Sequence, residues 1–410
     1  MFKVRAGFIP LTDSALLIAA LEKGFAKEVD IDLELVREFS WANIRDRMAV
    51  GHFDVAHMLA PMPVAAAIGL SPVPVEILAP MALGLGGNAV TVSTSLYKLI
   101  QEQGYSGSLD PAEAGRSLAL LIEKRRTDNL PDLVFGVVHP YSCHNYDLRY
   151  WLAACGIDPE KDLQIVVLPP SLMPDALSVG NIDGYCVGEP WNSASVAAGT
   201  GAILTTKSRL WQSSPEKVLG VTKRLALANP DILDSIICGL TNAAKWCGDP
   251  ANHGELADIL ARPNYLDQPA DILLPALSGD IAIMGKQSLH DVDFFMPFDR
   301  AANFPWRSHA LWYYSQMVRW GQTAFNAKNV EWAAASFAPD IYRRAAAKMQ
   351  IAVPAANAKV EGALIASTAV GAGNNALYLG PDGFFDGALF DPEKLEDYIA
   401  SQKNERMTKV

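Results

Sequence analysis

Two stretches, MAVGHFDVA at 48–56 and LSVGNIDGY at 177–185, share one form: Val-Gly, any residue, an apolar residue, then Asp. In each, the residues before the glycine read as the end of a helix. Gly51 and Gly180 fall where the chain must turn left-handed, a conformation glycine adopts without a Cβ penalty. Asp54 and Asp183 then open a strand. A helix–glycine–strand unit met twice predicts two lobes built on the same plan.

The N-terminal stretch MFKVRAGFIPLTDSALLIAALEKGF (1–25) gives the first lobe its opening unit. Phe2, Val4, Ala6 and Phe8 alternate with Lys3, Arg5 and Gly7, the period of a half-buried strand. Pro10 ends it, and Asp13 or Ser14 is placed to cap a helix running from Ala15 to near Gly24. Further strands are predicted at 31–39, 53–58, 73–83, 133–139, 163–168 and 182–188. Helical patterns or tight turns separate them, which predicts parallel α/β sheets. From about residue 222 the pattern turns helical, with aromatic-rich connections such as FPWRSHALWYYSQMVRWG (304–321). This half is read as helices completing and buttressing the first lobe. The stretch from about 350 to 390, with GAGNNALYLGPDGFFDG (371–387), reads as irregular and glycine-rich. The expected division is therefore 1–92 plus 222–410 for one lobe and 93–221 for the other.

Composition narrows the class. At 410 residues two lobes are the expectation, and half of the residues are hydrophobic while 19% are charged. A formal net charge of −11 disfavours a nucleic-acid surface, which needs basic patches to neutralise phosphates. The start Met-Phe-Lys-Val-Arg has no apolar core or cleavage site of a signal peptide. The longest uncharged run, 55–75, is broken by Pro61, Pro63, Pro72 and Pro74 and makes no plausible membrane helix. Five cysteines (143, 155, 186, 238 and 247) show no CxxC spacing, so neither a disulfide framework nor a zinc site is expected. The expectation is a soluble cytoplasmic protein with free thiols, no metal, no cofactor and no membrane contact.

Enzyme signatures are weak. GLGGN (84–88) lacks the Lys-Ser/Thr of a phosphate loop. His139 and His144 flank Pro140 and do not share a helical face, so local hydrogen bonding is favoured over metal ligation. Cys143 beside His144 invites a thiolate reading, although adjacent residues seldom aim at each other. A binding pocket has more support. In open α/β sheets, ligands sit at the carboxyl ends of strands, where helix N-termini offer free N–H groups. Ser40-Trp41-Ala42-Asn43, Asn88, His144-Asn145 and Gly188-Glu189-Pro190-Trp191 all fall at such positions.

At these residues the chain resembles the nitrate- and bicarbonate-binding proteins of ABC transporters, the NrtA/CmpA family. The matching stretches include SWANIRDRMAVGHFDVAHMLAPMP (40–63), GLGGNAVTVS (84–93), CHNYDLRYWLAACGIDPEKD (143–162) and DGYCVGEPWN (183–192). SSPEKVLG (213–220), RSHALWYYSQMVRWG (307–321) and FFDGALFDPEKLEDY (384–398) continue the match in order along nearly the whole chain. The resemblance implies the two-lobed type II periplasmic-binding-protein fold with an interlobe ligand cleft. It also implies a nitrate pocket at Trp41, Asn88, His144, Gly188 and Lys217. Asn88 stands where the family commonly shows glutamine. Bicarbonate binders place a calcium-associated carboxylate at the position of Lys217, so a lysine there implies an anion held without metal.

A member lacking a leader resembles the cytoplasmic nitrate/nitrite sensors of the NasS type, which pair with a NasT-like antiterminator. The expected function is therefore a cytoplasmic sensor that holds such a partner and releases it on binding nitrate or nitrite. The alternatives are the substrate-binding component of a nitrate ABC transporter and a cytosolic enzyme on the same fold.

Overall fold

Residues 1–371 and 377–402 of the chain are described by a computed structural model. Asp54 and Asp183 explain why the repeated sequence unit makes two similar lobes. The Arg5 N–H donates to Asp54 Oδ2 at 2.8 Å, and the Val134 N–H donates to Asp183 Oδ2 at the same distance. The Asp54 N–H in turn bonds the Arg5 carbonyl at 2.9 Å, and the Asp183 N–H bonds the Val134 carbonyl at 2.8 Å. Each aspartate thus ties the strand it opens to an earlier parallel strand of its own sheet. Gly51 and Gly180, just before them, have φ of 76° and 74°.

Two five-stranded sheets result. The first runs Ile31–Arg37, Phe2–Phe8, Val55–Leu59, Lys217–Thr222, Ile77–Ala82. The second runs Leu163–Val167, Leu133–Val137, Gly184–Gly188, Asn88–Ser93, Gly201–Thr206. In both, the first three strands are parallel and the fourth is antiparallel to its neighbours. The expectation of purely parallel sheets is corrected by that reversed strand. It is the one on which the chain enters from the other lobe, so it arrives running the opposite way. Among the ten strands of these two sheets, the reversed strands Asn88–Ser93 and Lys217–Thr222, with Gly201–Thr206, are the three that the sequence reading does not assign. The sheets exchange chain between Ala82 and Asn88 and between Thr206 and Lys217, upstream of the boundaries placed at 92/93 and 221/222.

The opening helix Ala15–Glu22 is capped by neither expected side chain: Ser14 Oγ donates to the Leu11 carbonyl, and Asp13 is engaged elsewhere. The glycine-rich loop at 84–88 is a packing device. A Cβ on Gly86 would lie 2.2 Å from the Phe294 carbonyl oxygen, and its φ is 74°.

The helical C-terminal half does more than buttress the first lobe. Helix Pro230–Gly248 packs beneath the first sheet, as expected. Ala276, Ile281, Ile283 and Phe294, however, join the core of the second lobe. The aromatic helix Arg307–Arg319 lies in a third core that spans both lobes and includes Trp41, where Tyr313 meets Tyr146 and Trp312 meets Tyr150 and Trp211. Trp211 stacks on Phe384 with centroids 4.6 Å apart. Large aromatic side chains give this seam much apolar area with few rotatable bonds to order. Part of the glycine-rich stretch, 372–376, lies outside the described residues.

The matched aspartates make a test of the repeat. Asp54→Ala and Asp183→Ala should each lose one charge-assisted bond to a backbone N–H, about 1–2 kcal/mol. Urea denaturation of the two variants should show similar losses; a loss confined to one lobe would deny the shared role.

Candidate functional site

Helix N-termini at strand ends place two of the candidate side chains. Trp41 is the first residue of helix Trp41–Ala49, whose cap Ser40 accepts from the Asn43 N–H. His144 is the second residue of helix Cys143–Ala154, capped by Ser142, which accepts from the Asn145 N–H. Asn88 begins one reversed strand, Lys217 begins the other, and Gly188 ends the strand that faces Asn88 in register. Asn88, His144 and Lys217 are fully buried.

Asn88, His144 and Lys217 meet around one carboxylate that sequence reading did not single out, that of Glu216, with Trp41 beside Lys217 and Gly188 beside Asn88. Its Oε1 lies 2.5 Å from Lys217 Nζ and 3.3 Å from His144 Nε2. Its Oε2 lies 2.6 Å from both Lys207 Nζ and Asn88 Nδ2. Asn88 Oδ1 is 3.1 Å from His144 Nε2. The Lys217 ammonium stands 5.5 Å from the centre of the Trp41 ring, a cation–π distance. A Cβ on Gly188 would sit 3.2 Å from Asn88 Oδ1 and 3.6 Å from Asp13 Oδ2, so any side chain there would press into the cluster.

The cluster extends to residues outside the candidate set. Lys217 Nζ also bonds Asp13 Oδ2 at 2.7 Å. Asp13 Oδ1 lies 2.8 Å from His57 Nε2, and His57 Nδ1 accepts from the Ile9 N–H at 3.4 Å. Lys207 Nζ bonds Asp147 Oδ2 at 2.9 Å and the Pro215 carbonyl at 2.7 Å. Three carboxylates thus face two lysines. The sequence reading gave Lys217 a fixed charge available to an anion; Asp13 and Glu216 already match it.

Electrostatics follow from this pairing. Burial alone would raise the Glu216 carboxyl, but Lys207, Lys217 and His144 outweigh it and hold it well below the usual carboxylate range. Burial would likewise raise Asp13, and Lys217 and His57 reverse that. Burial would lower Lys217, and Asp13 and Glu216 raise it. Burial dominates at the histidines: His57 is lowered, and His144 falls to about 3, so both act as neutral rings. Asp147 is pushed up to about 6, first by burial.

Three further residues bear on chemistry. Cys143 Sγ donates to the Glu216 carbonyl at 3.0 Å and accepts from Tyr313 Oη at 3.2 Å, and burial pushes its thiol well up. It is engaged away from His144 and kept protonated, which is the opposite of a thiolate nucleophile. His139 Nδ1 accepts from the Tyr141 N–H at 3.1 Å, the local bonding expected for it. Among the described residues no group of three His, Cys, Asp or Glu could hold a metal ion. The Trp41 indole N–H, Thr12 Oγ1 and His144 Nδ1 are buried and without a hydrogen-bond partner. Each such group costs about 1–3 kcal/mol, a deficit a polar ligand can relieve.

The sequence offered no signal for His57, Asp147 or Lys207, because their partners are distant along the chain and only tertiary folding pairs His57 with Asp13 and Lys207 with Asp147. For Asp13 and Glu216 there was one: a carboxylate after the first strand, and another beside the candidate lysine.

This chain belongs to the NMT1-like family, which matches residues 2–261, and within it to the NrtA-type nitrate-binding proteins. It is 33% identical to the nitrate/nitrite binding protein NrtA of Synechococcus elongatus, across 98% of this chain and 86% of that one. It is 27% identical to the bicarbonate-binding protein CmpA of a Synechococcus strain, across 98% of this chain and 87% of that one. The crystal structure of the periplasmic nitrate-binding protein NrtA from Synechocystis PCC 6803 superposes with a TM-score of 0.85 at 25% identity, covering 98% and 99% of the two chains. The periplasmic-binding-protein fold expected from the sequence is thereby established.

Glu189, beside Gly188, supplies a pH test of the seam. Its carbonyl accepts from the Thr12 N–H at 2.7 Å, joining the lobes, while its buried Oε1 has no partner. Burial pushes its carboxyl from 4.5 up to about 7. The folded pKa lies above the unfolded one, so its stabilising proton is lost as pH rises through about 4.5 to 7. Glu189→Gln should therefore gain on the wild type between about pH 5 and pH 8, by about 2 °C in Tm or more. An offset independent of pH would show that Glu189 is ionised throughout.

Proposed function

We propose that this chain is a substrate-binding protein of a nitrate or nitrite transport system, holding the planar monoanion between its lobes without a metal ion. One observation carries the reading: Asn88, His144 and Lys217, from separate elements, converge on a single trigonal carboxylate, that of Glu216. Donors that fit both oxygens of a planar carboxylate also fit a planar oxyanion. The names of the relatives NrtA support nitrate and nitrite as the ligands. Against a calcium-dependent bicarbonate site, the Lys217 ammonium stands between Asp13 and Glu216, where a divalent cation would need those same carboxylates.

Calorimetric titration with nitrate, nitrite, chloride, and bicarbonate plus calcium tests this. The expected result is a micromolar Kd for nitrate or nitrite, about −8 kcal/mol, with no calcium requirement. Lys217→Met should weaken it about tenfold or more through loss of a charge-assisted bond, and Trp41→Ala should weaken it through lost packing. Methionine is the apt replacement, since Asp13 and Glu216 already crowd two negative charges at that position. Binding of bicarbonate that requires calcium, with silence toward nitrate, would reverse the assignment.

The cytoplasmic sensor holding a NasT-like partner is a second reading. It is favoured by five free thiols, four of them buried, which suit a reducing compartment. The ligand would have to favour the partner-free form, and the partner would then weaken ligand binding by the same factor. Co-purification with a NasT-like protein should then succeed without nitrate and fail with it; a complex indifferent to nitrate, or none, leaves the transport reading alone.

A further inference from the structure

We infer that Glu216 is an internal occupant of the anion site, and that an anion binds by taking over the donors its carboxylate now holds. The inference rests on the anion-binding reading above and adds the residue that sets affinity and shape selectivity. A glutamate carboxylate is planar, with two oxygens at a trigonal angle on one centre; formate is the same group, nitrite is a bent O–N–O of similar shape, and trigonal nitrate presents the same edge with any two of its three oxygens. Each of its oxygens has two polar neighbours: Lys217 and His144 on Oε1, Lys207 and Asn88 on Oε2. Three of these four are residues the family resemblance assigns to the ligand.

Charge accounting identifies Glu216, rather than Asp13 or Asp147, as the exchangeable group. Without it, Lys217 keeps Asp13 at 2.7 Å, and Lys207 keeps Asp147 at 2.9 Å with the Pro215 carbonyl. Both lysines stay paired, and an incoming monoanion restores the charge that Glu216 supplied. An anion beside an unmoved Glu216 would instead put two like charges in one dry cradle, which is strongly unfavourable. The main chain does not depend on the side chain. The Glu216 carbonyl is held by the Ala60 N–H at 3.1 Å and by Cys143 Sγ at 3.0 Å. Only the carboxylate must move. The rival role for Glu216 is a fixed support that orients the two lysines for the ligand, and it makes the opposite prediction for its removal.

The experiment compares the full-length protein with Glu216→Gln and Glu216→Ala, using nitrate, nitrite, formate and sulfate as probes in calorimetry and thermal melts. Glu216→Gln is expected to bind nitrate roughly tenfold tighter than the wild type. Glu216→Ala is expected to gain a thermal stabilisation by formate, which refills the cradle, and none by tetrahedral sulfate. In the wild type, infrared difference spectra on nitrate addition should show a carboxylate stretch shift that Glu216→Gln lacks; this reads the exchange even if a variant folds poorly. If the wild type binds nitrate and Glu216→Gln binds it equally or more weakly, Glu216 is a support and the inference falls while the proposed function stands. A wild-type spectrum with no carboxylate change on binding overturns it too. If none of the three proteins binds any planar anion, both readings fall together.

Discussion

The Glu216 carboxylate, clasped between Lys207 and Lys217, is the constraint on which the interlobe seam depends. Lys207 follows the last strand of the second sheet, and Lys217 opens a strand of the first. Glu216 stands in the connection between them, so its carboxylate meets a lysine from each lobe. Taking these ions out of water costs several kcal/mol apiece, a cost offset only when partners are many and well placed. Here every carboxylate oxygen of Glu216 has two polar neighbours, and each lysine touches two carboxylates.

That arrangement also keeps the histidines neutral. With two lysines supplying the positive charge, a charged imidazole would gain little and would lose its solvation. His57 accepts from the Ile9 backbone at Nδ1, which leaves its Nε2 proton facing Asp13. His144 turns Nε2 toward Asn88 and Glu216. The cluster is therefore a set of donors around the planar Glu216 carboxylate, with its positive charges already matched by carboxylates.

Around the ions, aromatic packing seals the seam. Trp41 lies over Lys217, and Tyr313 reaches the Pro215 carbonyl and Cys143 from the C-terminal half. Excluding water raises the strength of each charged contact inside, so the aromatic helix Arg307–Arg319 contributes to the site without touching Glu216 itself. The same helix explains why the C-terminal half belongs to neither lobe alone.

Local chemistry was legible in the sequence: the repeated glycine–aspartate unit, the alternating strands, and the strand-end positions of Trp41 and His144. These depend on near neighbours along the chain, through backbone conformation and side-chain period. The family resemblance likewise marked five positions that the fold brings together. What the sequence could not determine was the direction of the two crossing strands and the company Lys217 keeps. Strand direction is set by which lobe the chain has just left, and no local pattern encodes it. Lys217 read as a free cation although Glu216 precedes it, because adjacency along the chain does not show that two side chains meet; Asp13 lies far upstream, and the folding of the first sheet brings it within 2.7 Å. Charge state in a dry interior is a property of the assembled cluster, and so the tertiary structure alone decided that this lysine is already paired.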